Sequence, residues 1–513
     1  MVAHTDDQLK RDPALRVECR IPEAVAQLDG LQQFIVDGAR QGTPAHEVER
    51  GLFERLLRLG NTLFSAFLSM VGPGDCGPTA TLDEGQTVNR LDGLHDRRLL
   101  TVFGPFVLSR HVYACREGQK IELAPTDQRL QLPQSELSYL LQEWDQLLGV
   151  EHAFGRVRDT LQTILRLKQS VDTLEHNNQQ MAEQAPAFRE TQPRVDPAKE
   201  GKLLIVTEDN KGVPMVRPVE EKPVGAHRKK GEKANKKQMA CIGCVYSVDL
   251  HTRTAEELIA TLFRDADRSK QQPPQAQQKR YWAELTVLID GEPLRGQEMV
   301  FQQMQDQIEK RRQPGQVLVH LCDGQKSLET DRAAYLPTDA NTVDILDLMH
   351  VIPRLWEVAH LFCPEGSNEA SAFVRKRLLR VLKGEVGAVI AGLRRKATVD
   401  GLRGVKKQRL RTACGYLKKN EHRMKYDDYL KAGYPVATGV IEGACRHVIK
   451  DRMERAGMRW KISGAQAMLH LRTIYTNGDW EAFQQFRIVE ETKRLYPNHD
   501  AIEGGTWPLA LAL

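Results

Sequence analysis

The sequence predicts an α/β domain in the middle of the chain, with mainly helical regions before and after it. From "KLLIVTED" to "PRLWEVAHLF", apolar β-rich runs alternate with amphipathic helical patterns, an order typical of a sheet flanked by helices. The length of 513 residues exceeds the ~250–300 residues at which a single core stops growing. We therefore expect several domains around this α/β centre.

Composition narrows the class of protein. A hydrophobic content of 41% is enough to form buried cores, which argues against wholesale disorder. The net charge is only +5, so basic character alone does not indicate a partner. Nine cysteines scattered over the chain indicate a reduced intracellular protein rather than a disulfide framework.

The same sequence predicts no association with a membrane. The N-terminus, "MVAHTDDQLKRDP", lacks the apolar core of a signal peptide. The apolar run from Leu59 to Val71 is shorter than the ~20 residues that span a bilayer. We expect a soluble, cytoplasmic protein.

The first predicted elements are helices. Helical periodicity runs from about Pro22 to Val71, with several apolar residues marking one stripe, and the run from Leu59 to Val71 is expected to be a buried helix. This predicted stripe consists of Val48, Leu52, Leu56, Leu59 and Leu63.

A β hairpin and a helical block follow. The run "LLTVFGPFVLSRHVYAC" is β-rich, with Gly104-Pro105 as the expected bend between two strands. Helical patterns then extend from about Ser135 to Glu183. Within them, "VRDTLQTILRLKQSVDTLEHNNQQ" contains two amphipathic pieces, which fit both a DNA-reading helix-turn-helix and an ordinary helical hairpin. Both interpretations stay open.

Four strands are predicted for the α/β centre. The first, "KLLIVTED", ends at Asp209, and the second, "MACIGCVYSVD", ends at Asp249. The third, "PGQVLVHLCDG", leads to Asp323, and "VDILDLMHV" is the fourth. The amphipathic pattern "GQEMVFQQMQDQIEKRR" predicts a helix before the third strand. The basic segment "EEKPVGAHRKKGEKANKK" between the first two strands is expected to be a mobile loop.

A basic helical stretch and an unusual charge pattern complete the chain. From about Glu365 to Leu430 the sequence is helical and rich in Lys and Arg. In the following "TGVIEGACRHVIKDRMERAGMRW", Glu442, Arg446 and Lys450 recur every four residues and so stack on one helix face. This spacing is typical of a solvated ion ladder, and it also fits a metal-binding carboxylate beside groups that hold phosphates.

The predicted strand ends suggest a metal site. Asp209 and Asp323 follow buried strands, and ligands collect at such ends in open α/β sheets. With Glu442 from a later helix, they would form an oxygen cage suited to Mg²⁺ or Mn²⁺. Two such ions can activate water or a 3′-hydroxyl at a phosphodiester. The alternative for each aspartate is a turn or helix-cap residue.

Four segments carry a resemblance to a known family. They are "TEDNKGVPM", "VHLCDGQKSL", "DILDLMHVIPRLWEVAHLFCPEGS" and "YPVATGVIEGACRHVIKDRMERAGMRWKISGAQAMLHLR". From about Lys202 to Phe483 the chain resembles bacterial insertion-sequence transposases of the DDE type, in particular the ISKra-type group. The last segment is the most specific because it matches over a long stretch. Asn210 departs from the "DGKGVP" common among relatives and leaves the acid in place.

The resemblance implies an RNase H-like catalytic core with acids on the first strand, the fourth strand and a later helix. Asp209, Asp323 and Glu442 match those acids and are the expected catalytic and metal-binding residues, with two Mg²⁺ or Mn²⁺ ions as cofactor. Asp347 and His350 match a D-x-x-H motif that supports the active site in some relatives. A strand-end aspartate and a core histidine are the alternative for this pair.

The resemblance also implies double-stranded DNA as partner, as element terminal repeats and as target, with a homodimer or larger assembly on DNA. Arg446 and Lys450 would then reach phosphates beside the scissile bond. Further expected DNA-binding residues are Lys211, Arg452 and Trp460; the tryptophan either stacks on an unpaired base or belongs to the core.

The cysteines do not support a zinc site. Relatives carry a Cys-pair zinc knuckle after the N-terminal hairpin, but Cys115 has no partner cysteine two residues on. Cys241 and Cys244 have a zinc-like spacing inside an apolar strand, where core cysteines are the better interpretation.

The expected activity is metal-dependent cleavage at insertion-sequence ends and transfer of the 3′-hydroxyl into target DNA. The alternatives are a decayed or domesticated transposase that regulates by binding DNA, and an RNase H-like nuclease without strand transfer. The predicted domains are an N-terminal helical region (1–98), a hairpin and helical DNA-end-binding region (99–190), the first part of the core (200–364), a basic helical insertion (365–430), the last part of the core (431–490) and a tail (491–513).

Overall fold

The structure is a computed structural model that describes residues 15–216, 237–266, 268–289, 291–455 and 457–497. The chain forms two compact units. The N-terminal unit contains the described residues up to Gln184 and those from Glu481 onward, and the central unit is Ala185–Trp480. The Lys-rich segment predicted as a mobile loop lies, except for Lys237, outside the described residues.

Two antiparallel helices open the N-terminal unit, α1 (Ile21–Gln41) and α2 (Ala45–Val71). The run from Leu59 to Val71 is only partly buried: Ser65 and Leu68 are buried, whereas Leu63 is exposed, as is Leu56 of the predicted stripe. Tertiary packing against α1 and the following strands selects a different face from the one that the leucine pattern indicated.

Short strands and helices follow in this unit. They are β1 (Thr79–Thr81), β2 (Thr87–Arg90), β3 (His95–Thr101), β4 (Gly104–Arg110), β5 (Tyr113–Ala114), α3 (Pro125–Arg129), α4 (Tyr139–Gly149), α5 (Phe154–Leu165) and α6 (Val171–Ala182). The predicted hairpin is β3–β4, but Thr101 already pairs with Gly104. Its turn is therefore Val102-Phe103, two residues before the expected bend. The two amphipathic pieces are α5 and α6, which the left-handed residue Arg166 separates.

The central unit alternates strands and helices up to its basic insert. The elements are α7 (Ala185–Glu190), β6 (Leu203–Pro214), β7 (Lys237–Val248), α8 (Ala255–Leu262), β8 (Gln277–Leu285), β9 (Val287–Ile289), β10 (Glu292–Leu294), α9 (Gly296–Arg311), β11 (Val317–Cys322), α10 (Lys326–Tyr335) and β12 (Thr342–Leu346).

Five of these strands form one mixed sheet in the order β12-β11-β6-β7-β8. β6, β7 and β8 pair antiparallel in sequence, whereas β11 pairs parallel with both β6 and β12. One face of the sheet forms an apolar core with α9, including the predicted helix residues Val300, Met304 and Ile308. The predicted α/β arrangement of a mixed sheet flanked by helices is confirmed.

Two predicted strand ends are wrong. Asp209 lies inside β6, because the ladder between β6 and β7 continues to the pair Pro214–Lys237. The fourth predicted strand, "VDILDLMHV", divides into β12, which ends at Leu346, and a helix. The side chain of Asp347 caps that helix by accepting a hydrogen bond from the Met349 amide, which explains the change of structure inside an apolar run.

Helices make up the rest of the chain. They are α11 (Leu348–Ala359), α12 (Asn368–Leu382), α13 (Val386–Val399), α14 (Gly404–Asn420), α15 (Tyr426–Ala432), α16 (Val440–Ala444), a π-helical turn (Cys445–Lys450), α17 (Asp451–Met453), α18 (Ile462–Thr476) and α19 (Trp480–Leu495). From Glu481 onward α19 belongs to the N-terminal unit, whereas the predicted division placed residues up to 490 with the core. None of the described helices combines the length and the apolar character needed to cross a membrane.

Candidate active site

Three aspartates occupy one row across three neighbouring parallel strands. His320 of β11 pairs with Val206 of β6 and with Asp344 of β12. Three residues beyond these positions come Asp323, Asp209 and Asp347. The Asp347 amide donates to the Cys322 carbonyl at 2.9 Å. This bond extends the hydrogen-bonded pairing of β11 and β12 to the row of aspartates. Because neighbouring strands lie about 4.8 Å apart and aligned side chains share a face, the fold brings the three carboxyl-bearing positions together.

Glu208 lies next to Asp209 in sequence but faces the other side of the sheet. It is buried, it pairs with Arg332 at 3.0 Å (Oε1 to Nη2), and its Oε2 accepts from the Cys322 thiol at 3.0 Å. Glu208 is therefore a structural ion pair on the face opposite to the aspartate row. The alternation of the strand explains why two adjacent acids in "TEDN" have different surroundings.

Asp209 is held by groups from two directions. Its Oδ1 accepts from the Asn210 amide at 2.7 Å, and its Oδ2 accepts from the Cys445 thiol at 3.3 Å. Burial raises the pKa of the Cys445 thiol, and the negative charge of Asp209 raises it further. The thiol therefore stays protonated and acts as a donor to the carboxylate. This contact fixes the π-helical turn against β6.

Glu442 lies in α16, which packs on β6 and β7. Both of its carboxylate oxygens are buried, and neither has a hydrogen-bond partner among the described residues. Burial raises the pKa of Glu442, and the charge of Asp209 adds to the increase, while the residue's own backbone amide and His350 oppose it. A buried carboxylate without a partner is costly, so this position favours a positively charged ligand.

Asp347 connects the row to the segment that carries Glu442. Its Oδ1 accepts from the Met349 amide at 2.7 Å, and its Oδ2 accepts from the Thr438 amide at 3.2 Å. Burial raises the pKa of Asp347 to about 7, and the negative charge of Glu442 also raises it. Both carboxylate oxygens are thus occupied by backbone groups. Asp347 is a helix cap that also positions α16, while His350 is half-buried rather than a core histidine.

The basic insert supports the turn that contains Asp323. The Asp323 carbonyl accepts from both terminal nitrogens of Arg423 at 3.4 Å, and its Oδ1 accepts from the Gln325 amide at 2.7 Å. A Cβ atom added at Gly324 would lie 2.8 Å from the Tyr416 ring. Glycine is therefore needed where α14 approaches the turn.

The predicted stack of Glu442, Arg446 and Lys450 on one helix face is wrong. The helix changes to a π-helical turn at Cys445, so the regular α-helical segment on which the predicted stack depends ends three residues after Glu442. The buried Arg472 of α18 donates to the carbonyls of His447 and Val448, which stabilises this irregular turn. Glu442 faces the sheet, whereas Arg446 lies at the surface beside Asp451, 3.6 Å from Nε to Oδ1.

The expected DNA-binding residues fall into two groups. Arg446 and Lys450 are exposed, and Lys211 is half-exposed on the same face of β6 as Asp209. Arg452 and Trp460 are buried, and the indole nitrogen of Trp460 donates to the Met453 carbonyl at 3.1 Å. Trp460 therefore lies in the core, which is one of its two predicted positions. Arg452 is not accessible to a phosphate in this structure.

A cationic cavity of 440 Å³ lies between α13 and α14 of the insert. Its lining includes four exposed cations and no carboxylate, and none of the four has an ion-pair partner in the part of the chain that is described. These cations are Arg394, Arg403, Lys407 and Arg411. An anionic group is the natural complement of such a lining.

The candidate metal ligands fit a hard divalent cation in chemistry but are not preassembled. Asp209, Asp323 and Glu442 supply only carboxylate oxygens, the donors that Mg²⁺ and Mn²⁺ prefer, and Glu442 has no other partner. Across the described ranges, however, no three His, Cys, Asp or Glu side chains are grouped closely enough to hold a metal ion. Side-chain movement would have to complete the cage.

Sequence reasoning missed Cys445, Thr438, Tyr416, Arg423 and Arg472. Cys445 and Thr438 lie within four residues of Glu442, but nothing in their spacing marks them as contacts of Asp209 or Asp347. Arg423 and Tyr416 are about 100 residues from Asp323 in the chain, and no sequence pattern connects them. Only the buried Arg472 left a signal, as a basic residue within the otherwise apolar "AMLHLRTIY".

Comparisons with known proteins add little to this description. No protein-family model matches the chain, and no curated protein matches it in sequence. Among solved structures, a chain of the Drosophila P element transposase strand transfer complex is similar at 12% identity and a TM-score of 0.22. The similarity covers 72% of this chain and 85% of that one. Because that TM-score is too low to define a fold, the central unit is described by its own topology: a mixed five-stranded α/β domain with an acidic row beside a half-buried glutamate whose carboxylate oxygens are buried.

Proposed function

We propose that the central unit is the RNase H-like core of a DDE transposase of the ISKra type. The observation that carries this proposal is the alignment of Asp209 on β6 with Asp323, which directly follows the adjacent parallel strand β11, together with the unpartnered carboxylate of Glu442 on a helix that packs on β6 and β7. The sheet also supports it, since three antiparallel strands are followed by two that run parallel to the first. The acids then lie on the first strand, after the fourth strand and on a later helix.

In this proposal Asp209, Asp323 and Glu442 hold two Mg²⁺ or Mn²⁺ ions. When bound, such ions supply an activated oxygen nucleophile and neutralise the leaving oxygen of a phosphodiester. The acids serve as ligands and do not attack phosphorus themselves. Hydrolysis at each element end would release a 3′-hydroxyl, and direct attack of that hydroxyl on target DNA would join the strands without a covalent protein–DNA intermediate.

Neighbouring residues position these acids. The Cys445 thiol orients Asp209 through its hydrogen bond. Arg423 and Tyr416 hold the Asp323 turn from the insert. Asp347 fixes the start of the Glu442 segment through the Thr438 amide. The outer contacts of a metal site commonly affect activity almost as much as the ligands do.

Double-stranded DNA is the proposed substrate, both as element ends and as target. Lys211, Arg446 and Lys450 lie at accessible positions, where they would contact phosphates. The cavity cations of the insert would follow the backbone farther from the cut. Recognition of the element ends is assigned to the N-terminal unit, and the assembly would act as a dimer or larger complex.

A mobility assay in cells tests the proposal. A marker flanked by the element's own ends is supplied with the wild-type chain, Asp323→Asn or the control Asp344→Asn, which alters a half-exposed acid on the opposite face of the sheet. We expect marker insertion with the wild type and the control, and none with Asp323→Asn. Equal insertion with Asp323→Asn would overturn the active site. Nicked ends without joined products would favour a nuclease, and DNA binding with neither would favour a regulator.

A further inference from the structure

A fully buried aspartate lies in the N-terminal unit without a charged partner. Asp145 of α4 is 0% exposed, and the side chains that act on its carboxyl are the neutral amides of Gln169 and Asn177. An ionised carboxylate in such a place is costly unless it is paired with a cation. This position therefore favours the neutral acid.

The two amides belong to the helix pair α5–α6. Gln169 lies in the turn between these helices (166–170), and its Nε2 donates to Oδ1 of Asp145 at 2.9 Å. Asn177 of α6 is buried, and its amide acts on the same carboxyl. Asp145 is therefore a point at which α4 holds both the turn and the second helix of the pair.

The donors and acceptors of this cluster favour a proton on Asp145. Oδ2 of Asp145, Oε1 of Gln169 and Oδ1 of Asn177 are buried acceptors without a hydrogen-bond donor among the described residues. Nδ2 of Asn177 is a buried donor in the same cluster. Even if it served both other residues, its own Oδ1 would lack a donor. A proton on Oδ2 of Asp145 supplies a further donor and removes the buried charge at the same time.

Other charged groups around Asp145 are engaged elsewhere or reach solvent. Arg487 of α19 donates to Gln142 of α4 at 2.9 Å and lies 3.5 Å from Glu491. The other charged side chains of α4, α5, the turn and α6 are exposed or half-exposed. They are Glu143, Arg156, Arg158, Asp159, Arg166, Lys168, Asp172, Glu175 and His176. Within the described chain, the cluster thus has no fixed cation that could take the place of a proton.

We propose that the fold holds Asp145 in its protonated form and that ionisation of this group loosens the attachment of the α5–α6 pair to α4. The attachment is then sensitive to pH. This inference rests on the N-terminal unit alone and does not depend on the proposed function.

The direction of the pH dependence follows from the burial of Asp145. Burial raises its pKa to about 7, although the amides of Gln169 and Asn177 oppose the increase, whereas an exposed aspartate has a pKa of about 3.9. The attached state therefore binds the proton more tightly than the open state. Its extra stability is fully present below about pH 4, is lost as pH rises toward 7, and changes no further above that.

The test is hydrogen exchange of the full-length chain, measured by mass spectrometry on peptides from residues 154–182 and corrected for the intrinsic pH dependence of exchange. In the wild type, protection of the α5–α6 pair is expected to fall more than ~10-fold between pH 5.5 and pH 7.5. Asp145→Asn places an amide donor where the protonated oxygen donates. Its protection should be independent of pH and, at pH 7.5, higher than that of the wild type.

The matched control is Asp127→Asn, which neutralises another buried aspartate of the same unit. Asp127 pairs with Arg97 and Arg110 at 2.6 and 2.7 Å. Its replacement should lower the thermal unfolding temperature, while the protection of the α5–α6 pair keeps the pH dependence of the wild type.

Equal pH dependence in the wild type and in Asp145→Asn would overturn the proposal. Because Asp145→Asn could itself disturb α4, a second variant, Gln169→Ala, removes the contact from the side of the turn, at a half-buried residue. It should lower the protection of the pair at pH 5.5 to near the wild-type level at pH 7.5. Full wild-type protection in that variant would show that Asp145 does not hold the turn.

Discussion

The thiol of Cys445 lies 3.3 Å from Oδ2 of Asp209, across 236 residues of sequence. It is the donor by which the segment carrying Glu442 contacts the first strand of the sheet. The contact lies where the helix changes to a π-helical turn at Cys445, and π-helical irregularities are often associated with functional sites. The orientation of a proposed metal ligand thus depends on a neutral thiol on another element.

Replacing Cys445 should therefore change the rate of DNA cleavage rather than the fold. We expect Cys445→Ala to lower the single-turnover cleavage rate about 10-fold, the lower end of the effect of losing an outer contact of a metal ligand. Cys445→Ser keeps a donor and should restore most of the rate. Cys244→Ala, which truncates another buried cysteine away from the acidic row, is the matched control. Equal rates for all four proteins would show that the thiol does not orient Asp209.

Neutralising Glu442 should abolish cleavage and stabilise the protein. Its pKa is raised, so the ionised form is disfavoured in the folded state and weakens stability above that pKa. We expect Glu442→Gln to raise the free energy of unfolding by about 1 kcal/mol at pH 8, with the gain vanishing near pH 4, where the wild-type carboxyl is protonated. Denaturant unfolding of both proteins at the two pH values measures it. A Glu442→Gln variant less stable than the wild type at pH 8 would contradict the unpaired state of this carboxylate.

Sequence reasoning predicted the α/β order but not where two elements end. The polar run "NKGVPM" after Asp209 has the composition of a loop, yet β6 continues through it because β7 offers a complete set of ladder partners. The apolar run "VDILDLMHV" contains a strand-to-helix transition. Local pattern does not show this transition, because the residues before and after Asp347 in sequence are hydrophobic. Long-range pairing and a single cap decided these boundaries, and neither is visible in local periodicity.

Of the residues that form the candidate site, only the acidic ones could be predicted from the sequence. The alternation of β6 could have separated Glu208 from Asp209, but the partners of the row come from distant elements. The four-residue spacing of Glu442, Arg446 and Lys450 indicated a regular helix, and the carbonyl contacts of Arg472 with a π-helical turn override it. On α2, the leucine pattern does not distinguish the exposed Leu56 and Leu63 from the buried Leu68, because tertiary packing decides which residues are covered.

The cavity of the insert should contribute to DNA affinity through charge. Each phosphate contact changes the slope of log K against log salt by about 0.9. We therefore expect Lys407→Gln with Arg411→Gln to weaken binding to any DNA sequence and to reduce that slope by about 2. Fluorescence anisotropy with one duplex at several salt concentrations measures both.

The matched control for the cavity is Lys396→Gln with Lys418→Gln. It removes the same charge from the insert, but these lysines already pair with Asp400 and Glu421, at 2.7 and 2.6 Å. We expect a smaller change in slope than for the cavity variant. Identical slopes for the two double variants would exclude a specific role for the cavity.

The buried Glu284 of the central unit should limit stability at low pH. Burial alone would raise the pKa of Glu284, but His470 and Arg189, at 2.9 Å from its two oxygens, bring it down to about 2. A lowered pKa means that the stabilisation is present above about pH 4.5 and is lost as pH falls toward 2. We expect Glu284→Gln to reduce the free energy of unfolding by about 3 kcal/mol at pH 7.

The check for Glu284 is urea unfolding of wild type and variant as a function of pH. The difference between the two should shrink steadily between pH 4.5 and pH 2. A difference that is constant over this range would indicate that lost packing, rather than the ionised network, causes the destabilisation.

The central claim is that Asp209, Asp323 and Glu442 together hold a divalent cation. Titration of the DNA-free, full-length chain with Mn²⁺, followed by the electron paramagnetic resonance signal of the free ion, tests it without requiring activity. We predict saturable binding by the wild type and by Asp344→Asn, and affinities reduced at least ~10-fold in Asp209→Asn, Asp323→Asn and Glu442→Gln. Equal binding by all five proteins, or none by the wild type, would contradict the claim.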